Sequence, residues 1–206
     1  MNIDRVVTSA AVDGETRRLS ENSSNAWVVG DDHDVIVIDP GNRAEPIIEA
    51  IGGRFVTAVI CTDGRRERTA AAPDMAHELY APLLIHPADD ELWRETHGDA
   101  RYMMLHDRQE IAFAGMVLTV LHTPGRTTGS VCLYADAIAA VFTGDTLRGR
   151  EMMTGRRTRR EVPTLAARER LSTLPSTTTV LPGRGEATTV GAVRLRRLSG
   201  TGTSDD

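Results

Sequence analysis

The segment Thr123-Pro124-Gly125-Arg126-Thr127-Thr128-Gly129-Ser130 follows a run of strand-forming residues, Met116–Leu121, after one intervening histidine. Its proline and two glycines predict a tight turn at a strand end, where loops carry functional side chains on a rigid scaffold. Three further segments have the same form, a strand-like run followed by a glycine-containing turn. They are Thr62-Asp63-Gly64-Arg65-Arg66-Glu67-Arg68, Thr143-Gly144-Asp145-Thr146 and Leu181-Pro182-Gly183-Arg184-Gly185. These four turns are the candidate functional segments.

The strand-like runs around these turns fall into two groups that are separated and followed by helix-like stretches. The predicted strands include Ala26–Val29, Asp34–Asp39 and Phe55–Cys61 in the first half, and Glu110–Phe113, Ser130–Tyr134 and Ala139–Thr143 in the second. Predicted helices include Ala44–Ile51, Ala70–Tyr80 and Thr164–Leu171. This order predicts two sheets packed face to face and covered by helices. We expect one domain over residues 1–198 and a flexible tail over 199–206, where Gly, Ser, Thr and Asp dominate.

Composition excludes several classes of protein. With 206 residues, 40% hydrophobic and 26% charged, the chain has the composition of a globular domain. No apolar run approaches the ~20 residues that span a bilayer, so an integral helical membrane protein is not expected. The first residues lack the pattern of a signal peptide, and two cysteines are too few for a disulfide framework. A cytoplasmic location is therefore the expectation.

All 24 basic residues are arginine, yet the formal net charge is −5, which argues against a dedicated nucleic-acid binder. One segment departs from this average, because Arg148–Arg160 contains six arginines and one glutamate. We interpret it as a charged surface loop and leave its role open.

In this order, the four turns resemble the motifs of the metallo-β-lactamase superfamily, and the length of the chain resembles that of its small glyoxalase II-like hydrolase branch. Two further stretches agree with that pattern. Asn25–Gly41 is similar to the opening hairpin of the family, and Ala81–Pro87 to the strand that follows the metal loop. The resemblance covers about Asn25 to Gly191. It implies an α+β fold, a four-layer αββα sandwich with its active site at the edge where the loops of the two sheets meet.

Hydrolytic members of that family hold one or two metals with a T-H-x-H-x-D-H loop, a His after T-P-G, the Asp of G-D-T and the His of P-G-H-G. Neutral imidazoles and carboxylates suit Zn²⁺, which lowers the pKa of its bound water to around 7. This sequence differs at six of the seven positions and keeps Asp145 alone. The residues found at the changed positions are Asp63, Arg65, Glu67, Arg68, Arg126 and Arg184. A guanidinium has no lone pair to donate and repels a divalent cation, so neither a metal nor another cofactor is expected.

Other residues offer no obvious replacement for the lost ligands. The six histidines, at positions 33, 77, 86, 97, 106 and 122, do not coincide with any ligand position of the family motif. Cys61 and Cys132 fall on predicted buried strands, and no serine sits in a G-x-S-x-G turn. Nucleophilic catalysis therefore has little support in the sequence.

If the family geometry holds, the seven side chains meet in one cleft, as a salt-bridge network or as an anion pocket with four arginines and three acids. We expect Arg65, Arg68, Arg126 and Arg184 to line this cleft, with Asp145 and Asp63 as their main partners.

The leading hypothesis for the function is a metal-free pseudoenzyme or binding protein related to thioester and ester hydrolases. The alternative is a metal-independent enzyme acting on an anionic small molecule, and the third is a zinc-dependent hydrolase with unusual ligands. The partners expected are a small anionic ligand and, as the default for a domain of this size, a second copy of the chain in a homodimer.

Overall fold

A computed structural model describes residues 1–8, 23–147 and 164–193 of the chain. The basic segment Arg148–Arg160 and the predicted tail 199–206 lie outside these ranges, and the single domain over 1–198 stays a prediction. In the described part, no helix combines the length and the apolar character that crossing a membrane requires.

Two six-stranded sheets form the centre of the molecule. The first has the order β1 to β6, with the strands β1 (Asn2–Thr8), β2 (Ser24–Gly30), β3 (Asp34–Ile38), β4 (Phe55–Ile60), β5 (Leu83–Ile85) and β6 (Met103–Met104). The second runs from β12 back to β7, with the strands β7 (Glu110–Phe113), β8 (Met116–His122), β9 (Val131–Ala135), β10 (Ala140–Gly144), β11 (Thr179–Pro182) and β12 (Thr188–Thr189). Within the first sheet β3 to β6 are parallel, and in the second β10 and β11 are parallel.

Helices cover the outer face of each sheet. They are α1 (Glu45–Ile51), α3 (Ala72–Glu78) and α4 (Asp90–His97) on the first sheet and α5 (Leu165–Ser172) on the second, whereas the single turn α2 (Arg66–Thr69) lies at the cleft. The side chains of Ile47, Met75 and Trp93 pack against the outer face of the first sheet, and Leu171 packs against the second. The inner faces of the two sheets meet in a separate core that includes Trp27 and Phe142. The αββα sandwich expected from the sequence is therefore confirmed.

The structure differs from the sequence prediction in the first turn. Residues 62–68 were expected to form a polar loop, but α2 begins at Arg66 and ends at Thr69, and the next helix starts at Ala72 rather than Ala70. Arg65, with extended backbone angles, is the N-cap of α2. Polar residues in this segment favour the prediction of a loop. They form a short helix because the segment lies in the cleft, where polar side chains find hydrogen-bond partners.

The inter-sheet core gives a direct test of the fold. Phe142 is fully buried and meets the ring of Trp27 edge-on at 5.9 Å. We expect Phe142→Ala to lower the free energy of unfolding by about 3–5 kcal/mol, because it leaves a cavity between the sheets. Chemical denaturation measures this loss. The matched control is Phe55→Ala on β4, whose ring is 64% exposed and whose removal should change stability by less than about 0.5 kcal/mol. Equal losses for the two variants would contradict the packing described.

Candidate functional site

The candidate site forms where the two sheets present strand ends to the same edge. Since β3 and β4 are parallel, their carboxyl ends place Asp39 and Thr62 side by side. The parallel pair of β10 and β11 likewise brings Asp145 next to the Pro182-Gly183 turn. Backbone hydrogen bonds join these turns, with the N–H of Gly183 donating to the carbonyl of Gly144 at 2.7 Å. The fold thereby concentrates the predicted motifs in one cleft.

Arg68 occupies the centre of this cleft and is completely buried, with a side chain that is 0% exposed. Its Nη2 donates to Oδ1 of Asp145, and its Nη1 donates to the carbonyl oxygen of Gly183 at 3.0 Å. Nη1 also lies 3.7 Å from Oδ2 of Asp39. Burial by itself lowers the pKa of Arg68, but the charges of Asp145 and Asp39 raise it above its ordinary value, so the guanidinium stays protonated.

Arg65 forms a second layer of the same network. Its Nε and Nη2 donate to the two carboxylate oxygens of Asp63 at 3.0 and 2.6 Å, and Nη2 also donates to Oδ2 of Asp145 at 2.7 Å. The Nε of Arg184 lies 3.6 Å from Oδ1 of Asp145. Among the described residues, the carboxylate of Asp145 is therefore shared by three arginines that come from two different turns.

Asp39 belongs to the network although sequence reasoning did not single it out as a site residue. The N–H and the hydroxyl of Thr62 donate to its two oxygens, both at 2.7 Å, and the carboxyl is almost fully buried. Burial raises the pKa of Asp39 to about 6, against the opposing effect of the charge on Arg68. The signal that could have identified it is an acidic residue directly after the apolar strand β3, in parallel register with β4.

Two predicted site residues lie outside this network. Glu67 and Arg126 are exposed, and neither forms an ion pair with any residue in the described ranges. For Glu67 the reason is its position on α2. The directions of neighbouring side chains differ by about 100° around a helix axis, and the side chain of Arg68 takes the inward direction. Arg126 lies at the outer tip of its turn, because Thr127 and Gly129 are held inward by Asp89.

Asp89 is a second residue that the sequence did not reveal. Its buried carboxylate accepts hydrogen bonds from the backbone N–H of Gly64 at 2.8 Å, the N–H of Gly129 at 2.6 Å and the hydroxyl of Thr127 at 2.7 Å. A Cβ at Gly64 or Gly129 would meet Asp89 at 2.7 or 2.6 Å, so only glycine fits at either position. Asp89 thus clamps the Thr62–Arg68 and Thr123–Ser130 turns together.

The residues of the cleft do not fit a metal ion. Asp145, at the one unchanged ligand position, already accepts hydrogen bonds from Arg65 and Arg68. Neither arginine has a lone pair to offer to a metal. The guanidinium of Arg68 fills the space beside Gly183 so closely that a Cβ there would lie 2.2 Å from Nη2. In the described ranges, no group of three or more His, Cys, Asp or Glu side chains is arranged to hold a metal.

The charges in the cleft are arranged in depth. Asp39, Asp63 and Asp145 are buried, with side chains at most 2% exposed, whereas the side chains of Arg65 and Arg184 are 14% and 17% exposed. The carboxylates therefore lie deeper in the cleft than the side chains of Arg65 and Arg184, although Nη1 of Arg65 and Nε of Arg184 are themselves buried. In the part of the chain that the structure describes, three arginines and three aspartates take part, in place of the four arginines and three acids that the sequence predicted.

Comparison with known proteins identifies the family. The sequence model of the metallo-beta-lactamase superfamily matches residues 19–184, so the chain belongs to this superfamily. A protein of Mycobacterium leprae whose function is not described is 30% identical over 198 residues, a match covering 82% of this chain and 90% of that protein. A hydroxyacylglutathione hydrolase of Methylobacillus flagellatus is 28% identical over 125 residues, which cover 60% of this chain and 47% of the hydrolase. These sequences confirm the family resemblance and show glyoxalase II-like relatives.

Solved structures agree with this assignment. TTHA1623, crystallised in a di-iron-bound form, is 26% identical and superposes with a TM-score of 0.70 over 84% of this chain and 92% of that one. ETHE1 from Myxococcus xanthus is 20% identical, with a TM-score of 0.72 over 98% of this chain and 86% of that one, and supports the fold alone. The same sandwich therefore holds iron in one of its members.

Removal of the central guanidinium tests the network. We expect Arg68→Ala to lower the free energy of unfolding by about 3–5 kcal/mol, because it leaves buried carboxylates without their partner. The control is Arg66→Ala, an exposed arginine on the same helix, which should cost less than about 0.5 kcal/mol. Urea denaturation at neutral pH measures both. A loss for Arg68→Ala no larger than that of its control would show that the pairing contributes little.

Proposed function

We propose that this protein works without a metal ion, as a binding protein on a fold that its relatives use for hydrolysis. The observation that carries the proposal is the position of Arg68. Its fully buried guanidinium pairs with Asp145, the residue at the one family ligand position that is unchanged. A permanently protonated group at this place opposes a divalent cation and provides no ligand for one. Without the ion there is no metal-activated water for hydrolysis.

The arrangement of acids in the cleft favours binding over metal-independent catalysis. A general acid or base needs a pKa near the working pH and contact with the substrate. Asp39 has a pKa of about 6, but it is 1% exposed and both of its oxygens accept hydrogen bonds from Thr62. The other two carboxylates of the network are held by Arg65. This supports the pseudoenzyme over the alternative of an enzyme acting on an anionic small molecule.

Metal analysis is the first test. We expect the purified protein to contain no stoichiometric Zn, Fe or Mn, and its melting temperature to be the same with and without a chelator, because arginine–carboxylate pairs join the loops. It should hydrolyse neither lactams nor thioesters of the hydroxyacylglutathione type. Elemental analysis, thermal melts and a hydrolysis screen give the three readouts, with the Methylobacillus flagellatus hydroxyacylglutathione hydrolase as positive control. About one equivalent of tightly bound metal, with thioester hydrolysis that a chelator abolishes, would overturn the proposal.

The ligand we propose for the cleft is a small anion. The buried carboxylates leave Arg65 and Arg184 as the charged groups nearest the mouth, and guanidinium groups match carboxylate and phosphate in shape and charge. The ligand would compete with water for the exposed parts of these two side chains, and the network behind them would hold the side chains in place. The expected affinity is low, since the negative charges of Asp63 and Asp145 lie directly behind the arginines.

Phosphate titration tests this ligand class. At constant ionic strength we expect phosphate to raise the melting temperature more than chloride does, because binding to the folded state alone stabilises it. Arg184→Gln should remove most of this difference. Arg126→Gln, an exposed arginine outside the network, should preserve it. An equal phosphate effect in both variants would show general ion screening rather than binding in the cleft, and would leave the metal test unaffected.

A further inference from the structure

Two histidines from different sheets stack on each other beside the cleft. His86 follows β5 of the first sheet and His122 ends β8 of the second. Their ring centroids are 4.2 Å apart and the ring planes differ by 6°. Each ring also makes one hydrogen bond to the backbone. His122 Nε2 lies 2.9 Å from the carbonyl oxygen of Thr128, and His86 Nδ1 accepts from the N–H of Ala88 at 3.2 Å.

These bonds define the protonation states of the two rings. A carbonyl oxygen only accepts, so His122 carries a proton on Nε2. A backbone N–H only donates, so Nδ1 of His86 must be unprotonated and His86 is neutral. The hydrogen bond from Ala88 is therefore available only while the ring of His86 is uncharged.

His86 is the cap of the turn that presents Asp89. Residues Pro87–Asp89 form one turn of 3₁₀ helix, with His86 as the N-cap, and the N–H of Asp89 donates to the carbonyl of His86 at 3.0 Å. The carboxylate at the end of this turn is the clamp that holds the backbone of Gly64 and Gly129. The state of His86 thus bears directly on the geometry of both cleft turns.

Protonation of His86 changes these contacts in two ways. An imidazolium carries N–H groups on both nitrogens, so Nδ1 would face the N–H of Ala88 with a donor instead of an acceptor. The new charge would also lie against the ring of His122. Burial, followed by the charge of His122, lowers the pKa of His86, with His106 acting in the same direction and Asp89 and Asp107 opposing it.

We propose that the stacked pair of His86 and His122 is an acid-sensitive latch on the cleft. While His86 is neutral, it caps the turn that ends at Asp89, and Asp89 holds the Thr62–Arg68 and Thr123–Ser130 turns together. When His86 takes up a proton, the cap is lost and the two turns separate more readily.

The direction of the pH effect follows from linkage. A histidine whose pKa is lower in the folded state than in the unfolded chain binds fewer protons when folded. Its contribution to stability is complete above the ordinary pKa of 6.5 and is lost as the pH falls below that value. The latch is therefore closed at neutral pH and opens on acidification.

Hydrogen exchange measured by mass spectrometry tests the latch on the intact chain. Peptides covering the two cleft turns are compared at about pH 7.5 and about pH 5, after correction for the intrinsic pH dependence of exchange. In the wild-type protein we expect these peptides to exchange about fivefold faster at the lower pH, the equivalent of one lost helix cap.

The matched variant is His86→Asn, since asparagine accepts a hydrogen bond at an N-cap and does not titrate. It should show no acid-dependent increase. The control is His33→Asn, an exposed histidine remote in sequence from the turn, which should behave as wild type.

A second variant keeps the test independent of how well His86→Asn folds. His122→Gln retains a donor for the carbonyl of Thr128 but removes the neighbouring imidazole charge, so the transition of the cleft peptides should move to higher pH. Two results would overturn the proposal. One is wild-type exchange in these turns that is independent of pH, and the other is an acid-dependent increase that persists in full in His86→Asn.

Discussion

The carboxylate of Asp145, held by the buried guanidinium group of Arg68 and by that of Arg65, forms the interaction on which the cleft depends. Asp145 directly follows β10 of the second sheet, and both arginines come from the turn after β4 of the first, so the pairing joins the two halves of the sandwich. A charge buried this deeply is tolerated only when it is paired and hydrogen-bonded. Other features of the cleft follow from this need, including the helical turn α2 that directs Arg68 inward and the glycine at 183 that leaves room for its guanidinium.

Two further aspartates extend the same principle to neighbouring turns. Asp39 fixes the start of the first turn through both donors of Thr62, and Asp89 binds that turn to the one that follows β8. In metal-dependent members of the superfamily a cation joins loops of this kind by accepting their lone pairs. Here the positive charge belongs to arginine side chains, which donate hydrogen bonds to the carboxylates. The loops are thereby joined by residues of the chain itself, and this supports a role in binding.

The sequence predicted the fold well because the fold depends on the order of strands and turns. Short apolar runs in two groups predicted two packed sheets covered by helices, and the resemblance of the four turns to the family motifs implied the αββα sandwich. The candidate site was less accessible. Asp39 and Asp89 were missed. A single sequence does not show that an acidic residue after β3 accepts hydrogen bonds from Thr62, or that one after β5 binds turns of both sheets. Glu67 and Arg126 were included because they occupy motif positions, although their side chains are exposed.

The amino-acid sequence by itself determined the family, the order of the elements and the residues that replace the ligands of the family motif. These depend on residue type and spacing. Only the tertiary structure decided which side chains of each turn face the cleft and which partners they meet. The phase of a single helical turn separates Arg68 from Glu67, and the hydrogen bonds of Asp89 leave Arg126 outside. Such choices are made by burial and by hydrogen bonds between residues far apart in the chain, and local sequence carries no record of them.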